Sequence, residues 1–384
     1  MRLPIAACGA GLGAISLALA APAWADALAT PAMGPTLSEN PSPFSIDAGP
    51  LGKINVGGVA SVIGLTQSNA DYGDKTTRGD ISNAQVFIQK ADGQFQFFVE
   101  LGDYSLPSVG AAYIRSGTLN DYTYGPAPVA YAKWAPNANF SIMVGKLPTL
   151  IGSESIFTFQ NMNIERGLLW NQEPVVSKGV QANFTKGPLA LSVSINDGYY
   201  SDRYNWVSGL VTWTFNPRDS LTVDGGGNFE HSNRASFATP YVQNDGELLN
   251  VAFTHSQGPL SITPYFQYTH TPVRMEDFLY DDVSTYGGAV LAKYSLTPKF
   301  NVAARAEYIS SHSNPVAYES NVLYGPNSKA WSLTLTPTYQ FKIFFLRAEV
   351  SYTKIEDLTP GFGFGKDGLA DSQVRGVVET GVLF

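Results

Sequence analysis

The sequence predicts an all-β fold: a transmembrane, antiparallel, up-and-down β-barrel of about sixteen strands. Three observations carry this. From Lys53 to the C-terminus, apolar and polar residues alternate in long runs. Short turns and long polar loops take turns along the chain. The composition is poor in charge (15 %) and rich in aromatics (12 %). Alternation places one face of each extended strand in lipid and the other in water. A membrane helix would need about twenty consecutive apolar residues, and none occurs beyond the leader.

Taken in order, residues 1–25 read as a secretory signal peptide. Arg2 is its only charged side chain, an Ala/Leu-rich run spans Ile5 to Ala21, and Ala23-Trp24-Ala25 fits the cleavage pattern. The only cysteine, Cys8, lies within it, so the mature chain has neither a disulfide nor a thiolate metal site. Its position before the apolar run argues against lipidation. Residues 26–52 are rich in Pro, Ser, Ala and Gly and have no period. They read as a mobile periplasmic lead-in.

The barrel is expected over 53–384. Its strands are 53–66, 81–90, 94–103, 127–135, 139–147, 176–186, 189–197 and 206–216 in the first half. The second half holds 220–230, 246–257, 260–270, 284–296, 299–310, 330–341, 343–354 and 373–384. Each is long enough for a tilted crossing of about 9–11 residues. In Ala330–Phe341, Trp331, Leu333, Leu335, Pro337, Tyr339 and Phe341 alternate with Ser332, Thr334, Thr336, Thr338 and Gln340. Turns such as Ala91-Asp92-Gly93, Lys186-Gly187-Pro188 and Gln257-Gly258-Pro259 carry hairpin residues; Phe341-Lys342 does not. An even count puts both ends in the periplasm and the long loops outside. Aromatics at strand ends, among them Phe95, Trp134, Trp213, Tyr294, Tyr339 and Phe344, suit interfacial girdles.

One stretch breaks the pattern. Residues 148–175 hold Glu154, Glu165, Arg166 and Glu173 among bulky Phe157, Phe159 and Trp170. A loop this long inside a domain is commonly functional, and we read it as a constriction loop. Strand parity sends Glu100, Asp224, Glu230, Lys293, Arg305, Glu307, Arg347, Glu349, Arg375 and Glu379 to the lumen, since charge on the lipid face costs about 2–4 kcal/mol. Pore-lining candidates are therefore Glu154, Glu165, Arg166, Glu173, Arg305, Arg347 and Arg375. The acids oppose the arginines across the lumen, or Arg305/Glu307 and Arg347/Glu349 neutralise one another as same-face neighbours. Lys146 shares parity with Ile142 and Val144, so it sits beyond the bilayer or follows a bulge.

The net charge of −8, one unit lower once Arg2 is lost, argues against nucleic acid as a partner. No HExxH, GxSxG or phosphate-loop motif occurs. His231 beside Ser232 is a weak hydrolase signal. We therefore expect no enzyme, no cofactor and no metal.

Residues 145–184, GKLPTLIGSESIFTFQNMNIERGLLWNQEPVVSKGVQANF, closely resemble the OmpL-like family of β-barrel porins of Gram-negative bacteria. Matching blocks include FSIDAGPLGKINVGGV (44–59), ISNAQVFIQKADGQFQFFVELGDYSLP (81–107), NDGYYSDRYNW (196–206) and GGGNF (225–229). The resemblance implies a cell outer-membrane barrel with a porin role, but names no solute. The expectation is a passive channel for small hydrophilic solutes, with a closed structural or adhesive barrel as the alternative. Lipid and lipopolysaccharide surround such a barrel, and a homotrimer is plausible. A last strand ending in Phe384 resembles the signal read by the barrel assembly machinery.

Overall fold

The computed structural model describes residues 33–384 apart from 233, 276–278 and 314–322. The signal peptide and the start of the lead-in lie outside the described residues. The strands are β1 (Phe44–Asp47), β2 (Lys53–Gln67), β3 (Thr77–Lys90), β4 (Phe95–Tyr104), β5 (Val129–Asn137) and β6 (Phe140–Pro148). Then come β7 (Val176–Lys186), β8 (Leu189–Asn196), β9 (Trp206–Asn216), β10 (Asp219–Asn228), β11 (Glu247–Gln257) and β12 (Leu260–Thr271). The chain closes with β13 (Val283–Thr297), β14 (Phe300–His312), β15 (Lys329–Phe341), β16 (Phe344–Glu356) and β17 (Ser372–Leu383).

Strands β2 to β17 form a closed antiparallel barrel of sixteen strands. Each pairs with its chain neighbours, and β17 returns to β2 from Arg375↔Gln67 to Leu383↔Val59. Closure leaves no sheet edge unpaired, as a membrane interior demands. The extra strand β1 was not legible as a strand. It pairs with the start of β2, from Phe44↔Val56 to Asp47↔Lys53, on the side where β17 has ended.

The burial pattern is that of a membrane wall turned inside out. On β15, Leu333 and Leu335 are exposed outward, while Ser332, Thr334, Thr336 and Thr338 are buried inward. Phe95, Trp134, Trp213, Tyr294, Tyr339 and Phe344 ring the outside near the short turns. Tyr268, Tyr286 and Tyr308 are exposed toward the other end of their strands. Amphipathic rings belong at these two heights. Among the described residues no helix is long and apolar enough to cross a membrane.

Turn chemistry mostly follows the sequence. Gly187 and Gly258 take left-handed φ of +58° in their hairpins. The turn without a usual turn residue uses Lys342 itself at φ +53°, a conformation costing a non-glycine residue about 1–2 kcal/mol. Of the charges assigned to the lumen, Glu230 lies past the end of β10 and is exposed. Lys146 resolves the other way: with β6 and β7 in continuous register there, its Nζ reaches over the rim to the carbonyls of Tyr124 (2.9 Å) and Ala127 (3.1 Å). In the long loop after β4, a short helix α1 (Ser116–Tyr122) forms. Asp80 of β3 fastens it, accepting the backbone N–H of Ser116 at 3.0 Å and the Tyr113 hydroxyl at 3.1 Å.

Candidate functional site in the barrel lumen

The stretch between β6 and β7 folds into the lumen. Its own side chains shape it first. Asn161 accepts the Ser155 N–H (2.7 Å) and donates to the carbonyls of Ser155 and Phe157 (2.8 Å each). Gln160 accepts the Phe157 N–H at 2.9 Å. These bonds replace a strand ladder for the backbone groups of Ser155 and Phe157. Phe157 and Phe159 stack at 6.0 Å and are fully buried. Phe157 meets Tyr104 of β4 edge-on at 5.3 Å, and Phe159 meets Phe87 of β3 at 5.7 Å.

The wall then holds the loop by its backbone. Asp224 of β10 accepts the Gly152 N–H at 2.9 Å. Glu307 of β14 accepts that of Leu168 at 3.1 Å. Glu349 of β16 accepts those of Ile164 (2.5 Å) and Glu165 (3.0 Å). Arg347 donates to the carbonyls of Thr158 (2.8 Å), Asn161 (2.9 Å) and Met162 (2.8 Å). Glu379 of β17 accepts the Thr158 hydroxyl at 2.6 Å, and Asn83 of β3 donates to that hydroxyl at 2.6 Å. Gln267 of β12 and Asn250 of β11 donate to Glu173 at 2.7 and 3.4 Å.

The seven candidates thus lie in one buried assembly. Arg305 pairs with Glu154 of the loop at 2.6 Å and with Glu307 at 3.0 Å. Arg375 pairs with Glu165 at 2.6 Å. Glu154 and Glu165 thus touch arginines instead of facing them across open water, whereas Glu173 and Arg166 make no ion pair among the described residues. The same-face alternative holds for Arg305 and Glu307 only: Arg347 pairs with Glu379 at 3.4 Å, while Glu349 takes backbone N–H groups. Arg166 is fully buried, with its guanidinium 4.9 Å from the Trp170 ring centre. Its backbone pairs with the loop after β4: the Val109 N–H donates to the Arg166 carbonyl at 2.8 Å. Sequence reasoning passed over Asn83, Asn250 and Gln267. The available signal was inward parity combined with an amide, a large group for a wall otherwise rich in Ser and Thr.

Below the loop a vestibule of about 540 Å³ remains, against the wall from β4 to β12. Leu150 to Phe157 and Trp170 form its roof, and it reaches the turns at Gly187–Leu189 and Asn216–Ser220. Of the seven candidates, Glu154 alone lines it. The other half of the mouth holds the N-terminal segment. Thr36 and Leu37 are buried; the Thr36 hydroxyl donates to the Asn161 carbonyl at 3.0 Å, and Asn301 donates to the Thr36 carbonyl at 2.9 Å. Residues read from composition as a free lead-in are seated against the inward loop. Lack of periodicity gave no hint of this, because these contacts follow the loop surface and not a sheet.

At the other end, the Tyr324 hydroxyl donates to the Gly110 carbonyl at 2.8 Å, tying loops from opposite parts of the chain. Past β8, Asp197 accepts the N–H groups of Lys178 (2.6 Å) and Asp202 (3.2 Å). Burial of this carboxyl raises its pKa to about 6. Among the described residues, no group of three His, Cys, Asp or Glu is placed to hold a metal ion.

A family model described as "Putative beta-barrel porin-2, OmpL-like" matches residues 53–384. Among curated proteins no sequence relative matches the chain. Solved structures share the fold. A Salmonella typhi OmpF complex with Daunomycin aligns at TM-score 0.59 and 12 % identity, covering 89 % of this chain and 100 % of that one. The outer membrane channel DcaP of Acinetobacter baumannii aligns at 0.58 and 13 %, covering 89 % and 100 %. OmpT, an outer membrane protein of Vibrio cholerae, aligns at 0.56 and 13 %, covering 88 % and 98 %.

Proposed function

The chain belongs to the OmpL-like β-barrel porin family, and from that premise we propose that it is a passive diffusion channel for small hydrophilic solutes. As a porin-type barrel its place is the outer membrane. The observation that carries the proposal is the inward loop. Most of its hydrogen bonds to the wall gather on β14 to β17 and β3, whereas the open volume lies against β4 to β12. A barrel of sixteen strands has room for an aqueous path beside such a loop. Charge at the constriction then filters solutes. The reading includes no catalytic residue. Lipid and lipopolysaccharide form its surroundings, the C-terminal strand ending at Phe384 addresses the assembly machinery, and three copies assemble.

Planar-bilayer recording of the folded protein tests this. Discrete open steps are expected, and their absence with correctly folded protein overturns the proposal. A second reading rests on the same loop and on the Tyr324–Gly110 tie: a barrel closed at rest that acts through its external loops. A silent bilayer would favour it.

A further inference from the structure

Every acid in the vestibule wall but one has a donor. Glu154 has Arg305 and the Gly167 N–H (2.8 Å). Asp224 has the Gly152 N–H and Asn250 (3.1 Å). Asp219 has His255 at 2.6 Å. The exception is Glu100 of β4. It is 1 % exposed, and among the described residues no donor reaches its Oε1. A buried carboxylate without a donor is costly, and such groups in folded proteins call for an explanation.

Its surroundings say what would complete it. Glu100 shares the inward face of β4 with Phe98 and opposes Val129 of β5. Phe98 stacks on Tyr131 at 5.7 Å with the planes 24° apart. Phe98, Tyr131, Met143, Phe157 and Trp170 all line the vestibule beside Glu100. Lys133 lies two residues from Tyr131 on the same face, yet makes no ion pair with Glu100 among those within 4 Å. The only basic side chain of the lining is Arg218, at the periplasmic turn. A carboxylate facing aromatic and thioether surface suits a cation with an apolar body. The ammonium supplies the absent donors and rings supply cation–π and stacking contact.

We propose that the vestibule contains a binding site for organic ammonium ions bearing an aromatic or apolar group, anchored by Glu100. It rests on the reading of this lumen as a solute path. The probe is tryptamine, titrated calorimetrically into the full barrel folded in detergent, with indole-3-propionate as the same ring in opposite charge. Tryptamine is expected to bind and indole-3-propionate not. Glu100→Gln is expected to weaken tryptamine by about tenfold or more, the loss of a charge-assisted bond. Tyr131→Leu is expected to weaken it several-fold, and it tests the site if Glu100→Gln does not fold. Asp371→Asn, outside the barrel, serves as the unaffected control. Equal binding of the anion, undiminished binding by both variants, or no binding at all (Glu100 then being satisfied by water) overturns the site. Calorimetry does not need conduction. A barrel that binds but passes no current sinks the channel reading alone, and one that conducts without binding sinks the site alone.

Discussion

Replacing Arg305 with Met should release the inward loop while leaving the barrel closed. Arg305 holds Glu154 at 2.6 Å, Glu307 at 3.0 Å and the Glu165 carbonyl at 2.7 Å. Its removal strands two buried carboxylates. Each keeps some support: Glu154 the Gly167 N–H, and Glu307 the Leu168 N–H and the Ser332 hydroxyl. Breaking a buried pair by deleting one partner costs about 3–5 kcal/mol. That cost falls on loop docking, because the ladder between β13 and β15 runs through backbone groups that Met retains. About 4 kcal/mol is roughly a thousandfold in the docked-to-released ratio. Arg166 is the only trypsin site between Thr149 and Ser177, and it is fully buried in the docked state. The assay is therefore limited trypsin digestion of the folded barrel, read as one cut at Arg166, alongside single-channel recording. Arg305→Met should be cut quickly and show larger or noisier steps. Adding Glu154→Gln and Glu307→Gln should restore much of the protection, since no buried charge is then left alone. If Arg305→Met resists trypsin like the parent and conducts identically, the pair does not anchor the loop.

Three further outcomes follow from single positions. A Cβ at Gly34 would lie 2.4 Å from the Gln160 carbonyl oxygen, so Gly34→Val should expel the N-terminal segment. Maleimide labelling of Thr36→Cys should then speed up about tenfold, within the 1–3 kcal/mol usual for overpacking; equal rates would show the segment is not seated. A Cβ at Gly58 would lie 2.5 Å from the Phe384 ring. Gly58→Val should thus cost about 1–3 kcal/mol in urea unfolding, with an unchanged midpoint counting against the seam packing. Asp197, whose carboxyl ordinarily titrates near 3.8, does so at about 6 in the folded loop. The fold therefore favours the protonated form. Its contribution is fully present below pH 3.8 and lost as pH rises through about 6. The protection factors of amides in 197–205, taken against the intrinsic rate at each pH, should fall across that window in the parent and not in Asp197→Asn.

The wall was readable because its physics is local. Lipid on one side and water on the other impose period two, so all sixteen barrel strands fall within a few residues of the ranges expected from alternation. The inward loop was readable only as an interruption. Its path depends on partners far away in sequence, such as Glu349 for Ile164 and Glu379 for Thr158, and no local period encodes them. Parity placed Arg305, Arg347 and Arg375 inside, but pairing was another matter. Whether Arg347 meets Glu349 on its own strand or Glu379 on the next depends on three-dimensional reach. The N-terminal segment and β1 were invisible for a related reason: one follows a loop surface, and the other is four residues long.

The network around Thr158 also carries a consequence for the order of events during assembly. Glu379 comes from the last strand, Asn83 from β3, and Ser61, whose hydroxyl lies 3.3 Å from Glu379, from the first strand of the ring. These side chains meet at the junction where the chain's two ends join. The loop is synthesised early, yet its fasteners on β14 to β17 arrive last. An unfinished barrel therefore offers it only part of its fastening, the contacts on β3, β4 and β10 to β12. Its full set of partners exists only once the ring shuts. The docked loop is then a clasp across the closing junction, bonded through Thr158 to both sides of the seam.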